Sequence, residues 1–223
     1  MPLRADHYLW SAVKPVPTIE ELKDTSSWEK VLTLPYDEIA PFVIGHISSI
    51  SIPMMLVWLT AIASLFLSVW YWPGLVFPSE DPRVLAGLTV GLLIIPILLV
   101  PLHEGSHILP FWLAGARDIR YGVNLRQGII YVTAHRFVVT GRVFAIIALI
   151  PFVFITLILG IFILISPLWW KWVLSMTLFV HTTMCTGDAA LTGFMNSFGK
   201  RSVCTWDDAE LKEAYFYASV ETV

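Results

Sequence analysis

The run Leu102-His103-Glu104-Gly105-Ser106-His107 carries the residue types and spacing best suited to chemistry in this chain. On a helix, His103 and His107 are four residues apart and share one face. Two imidazoles so placed can grip one zinc ion. Glu104, beside the first, can act as general base toward a water that the metal activates. The run lies at the far end of a long apolar segment, Val84 to Leu109. Charged and imidazole side chains are costly within a bilayer and are usually retained there for function.

A catalytic zinc usually takes three protein ligands and leaves a position open. The third ligand must lie at the depth of the histidine pair. Two candidates stand on the last apolar segment, His181 and Asp188. Counted along straight helices, His103 lies about 28 Å past Val84 and Asp188 about 25 Å past Lys171. His181 lies only about 15 Å past Lys171, one and a half to two turns too shallow. Asp188 is also the only carboxylate between Lys171 and Phe198. Unpaired at that depth it would be expensive, and a divalent cation would offset the cost. An ion pair with Arg136 or Arg142 is the alternative; the HExxH run favours zinc. Cys185, three residues earlier, reads as a small buried hydrophobe. His181 reads equally well as a cavity-lining side chain above the metal or as a core histidine. His135 reads first as a surface histidine, second as a group supporting the metal or an oxyanion. His7 and His46 read as surface or interface residues.

The composition says where such a site would work. Of 223 residues, 57% are hydrophobic and 14% charged, where a soluble domain carries about a quarter charged. Ten tryptophans fit a chain that meets lipid headgroups. The reading is a polytopic protein with one compact membrane domain. The net charge of -3 gives no footing for nucleic acid. Cys185 and Cys204 lack metal-site spacing and predict no structural disulfide. Met1 to Trp10 has no basic stretch leading into an apolar core, so no cleaved signal peptide is expected.

Four apolar segments are each long enough to cross about 30 Å of hydrocarbon. They are Ile47 to Trp72, Val84 to Ala114, Val143 to Ser166 and Lys171 to Phe198. Pro96, Pro101 and Pro110 should bend the second. Residues 1–46 form a polar, interfacial segment. In it Thr18-Ile19-Glu20-Glu21 reads as a capping box, Trp28 to Leu34 as a strand, and Tyr36 to Ile44 as a helix running into the first span. Residues 47–198 form the membrane domain. Residues 199–223 form a polar tail with a short helix over Asp207 to Tyr217. The fold class is an all-α membrane protein of about four transmembrane helices with a cytoplasmic-side β-hairpin after the HExxH helix.

That hairpin is read in the connection 115–142. Ile119, Tyr121, Val123 and Leu125 alternate with polar residues, Arg126-Gln127-Gly128 makes a turn, and Ile129 to Thr133 is β-branched and aromatic. It is either a plug packed on the bundle or an edge, with Tyr121 and Val123, that pairs with an extended substrate. Twelve of the fourteen Lys and Arg residues fall in the N-terminal region, this connection and the tail; only Arg83 and Lys171 fall opposite. The positive-inside rule then puts both termini in the cytoplasm of a multi-pass cell-membrane protein.

His103-Glu104-Gly105-Ser106-His107, with Gly187-Asp188 two spans later, resembles the site-2 type of intramembrane metalloprotease. More narrowly, it resembles small bacterial and archaeal membrane proteins described as zincin peptidases. The resemblance covers about Leu85 to Asn196. It implies His103, His107 and Asp188 as Zn2+ ligands, Glu104 as catalytic base, a membrane-embedded hairpin after the HExxH helix, and a membrane-anchored peptide or protein as substrate. The competing reading is a non-enzymatic protein that binds or transports metal with the same ligands. A glutamate beside the first histidine has no evident role in a conduit, which favours hydrolysis. A di-iron oxidase needs more histidines than the six present.

Overall fold

The computed structural model describes residues 16–75, 78, 80–124 and 129–220. His7 and the Arg126-Gln127-Gly128 turn lie outside them. The chain opens with α1 (Ile19–Leu22), whose capping box is formed: the Thr18 hydroxyl accepts from Glu21 N–H and the Glu21 carboxylate from Thr18 N–H. Then come β1 (Trp28–Pro35), a 3-10 turn (Tyr36–Glu38) and α2 (Ile39–His46). The last helix does not run into the first span. It stops at His46, and α3 (Ile52–Trp70) starts afresh from Ser51, whose hydroxyl caps Met54 N–H. Pro53 explains the restart, because proline is tolerated in a first turn and not inside a helix.

The second apolar segment is a bent helical run, Pro82–Ala114. It comprises α4 (Pro82–Thr89), a π-turn (Val90–Ile94), α5 (Ile95–Ser106) and α6 (Ile108–Ala114). Gly115, at φ 110, ends it. The π-turn leaves one carbonyl without a donor from its own helix. In that register the Gly91 carbonyl would look to the N–H of residue 96, and Pro96 has none. The Thr177 hydroxyl donates to that carbonyl instead, at 3.0 Å. The approach is close: a β-carbon on Gly91 would lie 2.8 Å from the Val173 carbonyl oxygen.

The hairpin is present as β2 (Ile119–Asn124) against β3 (Ile129–Ala134), antiparallel. After β4 (Val139–Thr140) comes α7 (Gly141–Ile165). The fourth apolar segment is broken at Cys185 into α8 (Leu168–Met184) and α9 (Thr186–Asn196). Among the described residues, three helical runs are long and apolar enough to cross a membrane: Ile52–Trp70, Pro82–Ala114 and Gly141–Ile165. Of the four apolar segments expected to span, three are such runs and the fourth is the split pair α8–α9. The reason lies in packing. α8 is 17 residues long and lies against α3, the α4–α5 run and α7. A helix enclosed by others need not present apolar side chains to lipid. Its buried Ser175 and Thr182 return their hydroxyls to carbonyls one turn back. α3, by contrast, keeps Ala61, Ser64 and Ser68 inward and exposes Leu59, Ile62 and Phe66.

The all-α expectation is also corrected. Besides the hairpin, an antiparallel sheet is ordered β1-β6-β5-β4, with β5 (Val203–Asp208) and β6 (Glu213–Ser219). The short helix expected over Asp207 to Tyr217 is instead the turn and second strand of this β5–β6 pair. Tyr215, Phe216 and Tyr217 are strand-favouring types, and β1 supplies a partner edge that local pattern does not reveal. One face of the sheet buries Cys204, Trp206 and Tyr217 with Leu22 of α1. The other buries Leu34, Ala214 and Phe216 with Met195 of α9.

Candidate metal centre

The site stands where α5, α7, α9 and β3 meet. His103 sits in the last turn of α5, and His107 is the residue joining α5 to α6. Both are buried. Asp188 is in the first turn of α9, where a negative charge suits the helix dipole. The break at Cys185, followed by Gly187, lets α9 turn so that Asp188 faces the histidines. His103 Nε2 lies 3.3 Å and His107 Nε2 3.8 Å from Asp188 Oδ2.

The partner of His107 fixes what its ring presents. Its Nδ1 is 2.9 Å from the Ile147 carbonyl oxygen, so Nδ1 carries the proton and donates it there. In the neutral ring Nε2 then holds a lone pair, aimed at a carboxylate oxygen. Two acceptors face each other with no donor between. A cation resolves this. The three ligand atoms of His103, His107 and Asp188 lie within 4.8 Å of one another. Two imidazoles and one carboxylate suit Zn2+ in an open catalytic site.

Glu104 lies beside His103 and, with His103, His107 and Asp188, lines a cavity of about 460 Å³. The Val132 backbone reaches the Glu104 carboxylate, which ties β3 to the helix. Ile130, Tyr131, Val132 and Thr133 of β3 form one wall, and Ile39, Val43 and Ile44 of α2 another. The N-terminal segment, read as a cap without chemistry, thus contributes cavity lining.

The other candidates fall elsewhere. Tyr121 and Val123 are on β2, exposed, and are not among the cavity's lining residues; β3 is the strand that faces the cavity. His135 ends the hairpin away from the metal ligands. Its Nδ1 accepts from Ala209 N–H at 3.1 Å, and Nε2 is 3.8 Å from Glu210 Oε1, so it fastens the hairpin to the β5–β6 turn. Arg136 pairs with Asp208 at 3.2 Å and not with Asp188. His181 is fully buried, its ring centroid 5.7 Å from that of His103. It is not a cavity-lining residue. Its Nε2 is 3.6 Å from Cys185 Sγ, which is 4.0 Å from His103 Nδ1. Cys185 and His181 therefore back His103 on the side away from Asp188. Straight-helix counting places His181 too shallow, yet in the folded chain its ring stands beside that of His103. Cys185 and Cys204 are both buried free thiols. His46 stacks on Phe42 and bonds its carbonyl at 2.8 Å.

Sequence reasoning did not identify the Ile147 carbonyl or the acidic and hydroxyl groups of Asp207, Thr133 and Tyr36 that also line the cavity. Pro151 was the available signal for the first. The second had none, because it requires the sheet.

Residues 96–202 match a family model described as "putative zincin peptidase". The matched stretch contains His103, Glu104, His107 and Asp188. The match supports a zincin-like, zinc-dependent metallopeptidase. No curated protein and no solved structure matches the chain.

Proposed function

We propose that the protein is an intramembrane zinc peptidase of the site-2 type, multi-pass in the cell membrane, hydrolysing peptide bonds of membrane-anchored substrates. The observation that carries this is the convergence of His103, His107 and Asp188 ligand atoms at a cavity wall that also bears Glu104. The three apolar helical runs support membrane residence. The pairing of β1 with β6 brings the N- and C-terminal regions to one sheet, in keeping with both termini on the cytoplasmic side.

His103, His107 and Asp188 would hold Zn2+. When bound, the ion supplies Lewis acidity toward water and the scissile carbonyl. Glu104 accepts the proton of the attacking water and passes it to the departing amine. The Ile147 carbonyl keeps His107 in one tautomer and orientation. The backbone of β3 beside Glu104 offers an extended substrate segment main-chain partners, which recognises a peptide without requiring one sequence. The apolar walls exclude bulk water around the bond to be cut.

The test is cleavage of a model membrane-anchored peptide by purified protein in proteoliposomes, with Zn2+ flux followed in the same preparation. Cleavage that needs zinc and Glu104 is expected. Flux without cleavage would replace this reading with metal transport.

A further inference from the structure

A second group of polar side chains lines the cavity that carries the candidate metal ligands. Asp207 of β5 lines it, as do Thr133 of β3 and Tyr36, which follows β1. The Thr133 hydroxyl donates to the Asp207 carboxylate. The Tyr36 hydroxyl is buried, its residue 6% exposed, and stands beside the Thr133 hydroxyl. The Tyr131 ring meets the Tyr36 ring edge-on, at 4.7 Å between centroids.

The charge balance of this cavity is one-sided. Among the described residues its lining includes Glu104, Asp188 and Asp207 but no lysine or arginine. The first two belong to the metal centre. Asp207 has no cationic partner within 4.0 Å among the described residues, since Arg136 is held by Asp208. Burial pushes the Asp207 carboxyl up to about 6, with the Thr133 hydrogen bond opposing. Burial makes a lone charge there costly, and a cation beside it would offset that cost.

We propose that Asp207, with the Tyr36 and Thr133 hydroxyls, forms a subsite that takes a lysine or arginine side chain of the peptide substrate. This rests on the peptidase reading. An ammonium or guanidinium would meet a carboxylate, a buried tyrosine hydroxyl and two phenol rings, all of which favour a cation. The register fits. Val132 reaches Glu104, and Thr133, the next residue, holds Asp207. One residue along a strand is about 3.4 Å. A substrate strand lying along β3 would thus bring a basic residue to Asp207 within a few positions of the bond being cut.

The experiment uses membrane-anchored peptides in which a single lysine, or norleucine in its place, is moved through the positions flanking the cut. At one or more positions the lysine peptide is expected to be cleaved about tenfold faster or more, as a charge-assisted contact predicts. Asp207→Asn should bring that ratio close to one, and Tyr36→Phe should lower it. A wild-type ratio within twofold at every position overturns the subsite and leaves the peptidase reading intact. Binding of the same peptides to Glu104→Gln protein, read by fluorescence anisotropy, separates the two ideas. Tighter binding of the lysine peptide, lost in the Glu104→Gln/Asp207→Asn double variant, supports the subsite even if wild-type protein cleaves nothing, an outcome that sinks the peptidase reading alone. Equal binding of both peptides overturns the subsite.

Discussion

His107 donates its Nδ1 proton to the carbonyl oxygen of Ile147, at 2.9 Å, and Pro151 is what leaves that oxygen free. In an α-helix the Ile147 carbonyl would accept from the N–H of residue 151, and proline has none. A proline inside α7 thereby orients a candidate metal ligand on another helix. Pro151→Ala is expected to return the Ile147 carbonyl to its own helix and free the His107 ring. Loss of such outer support typically weakens a metal site about 10- to 100-fold. Zinc titration of the purified variant against wild type checks this; unchanged affinity would remove the Ile147 carbonyl from the design of the site.

Glu104 and the three ligands should separate cleanly. Glu104→Gln is expected to keep one equivalent of zinc and lose hydrolysis, because the amide cannot accept the water proton. His103→Ala and Asp188→Ala are expected to lose both. Elemental analysis with a cleavage assay reads the two properties together. Full activity in Glu104→Gln would reassign the base.

Gly91 packs so closely on α8 that a side chain has no room. In Gly91→Ala the new methyl would lie 2.8 Å from the Val173 carbonyl oxygen and 2.9 Å from Met176 Cε. Overpacking of this kind costs about 1–3 kcal/mol. A lower unfolding temperature in detergent is expected. Because α8 leads directly into Asp188, zinc occupancy should fall with it.

Asp207 gives stability a pH dependence of definite sign. Its carboxyl is raised to about 6 by burial. The folded protein therefore holds this proton more tightly than the unfolded chain. The associated stability is fully present below the ordinary carboxylate pKa and is lost as pH rises from about 4 through about 6. The loss is at most about 3 kcal/mol. Tyr36 and Thr133 face the same carboxyl and do not titrate in that window. In metal-free protein, the wild-type unfolding temperature should fall across this range relative to Asp207→Asn. Parallel curves for the two proteins would count against a buried, titrating Asp207.

Much of the site was legible in the chain. HExxH marks two candidate ligands and a candidate base because helical spacing alone puts 103 and 107 on one face. The choice of Asp188 followed from depth and from the cost of a lone carboxylate among apolar residues. The hairpin was legible in the alternation at Ile119, Tyr121 and Val123. The polar tail was misread as helical because strand partners come from β1, far away in sequence, and local pattern carries no trace of them.

Sequence by itself determined the apolar segments, a histidine pair with its glutamate, one distant aspartate and the places of the prolines. Only the tertiary structure decided which backbone carbonyl His107 uses, that β3 rather than β2 faces the cavity, and that Asp207 shares that cavity with the metal ligands. The reason is physical. Periodicity and residue type act over a few residues of chain, whereas a hydrogen bond such as His107 to Ile147, or the closing of a sheet by β1, depends on how separate elements pack.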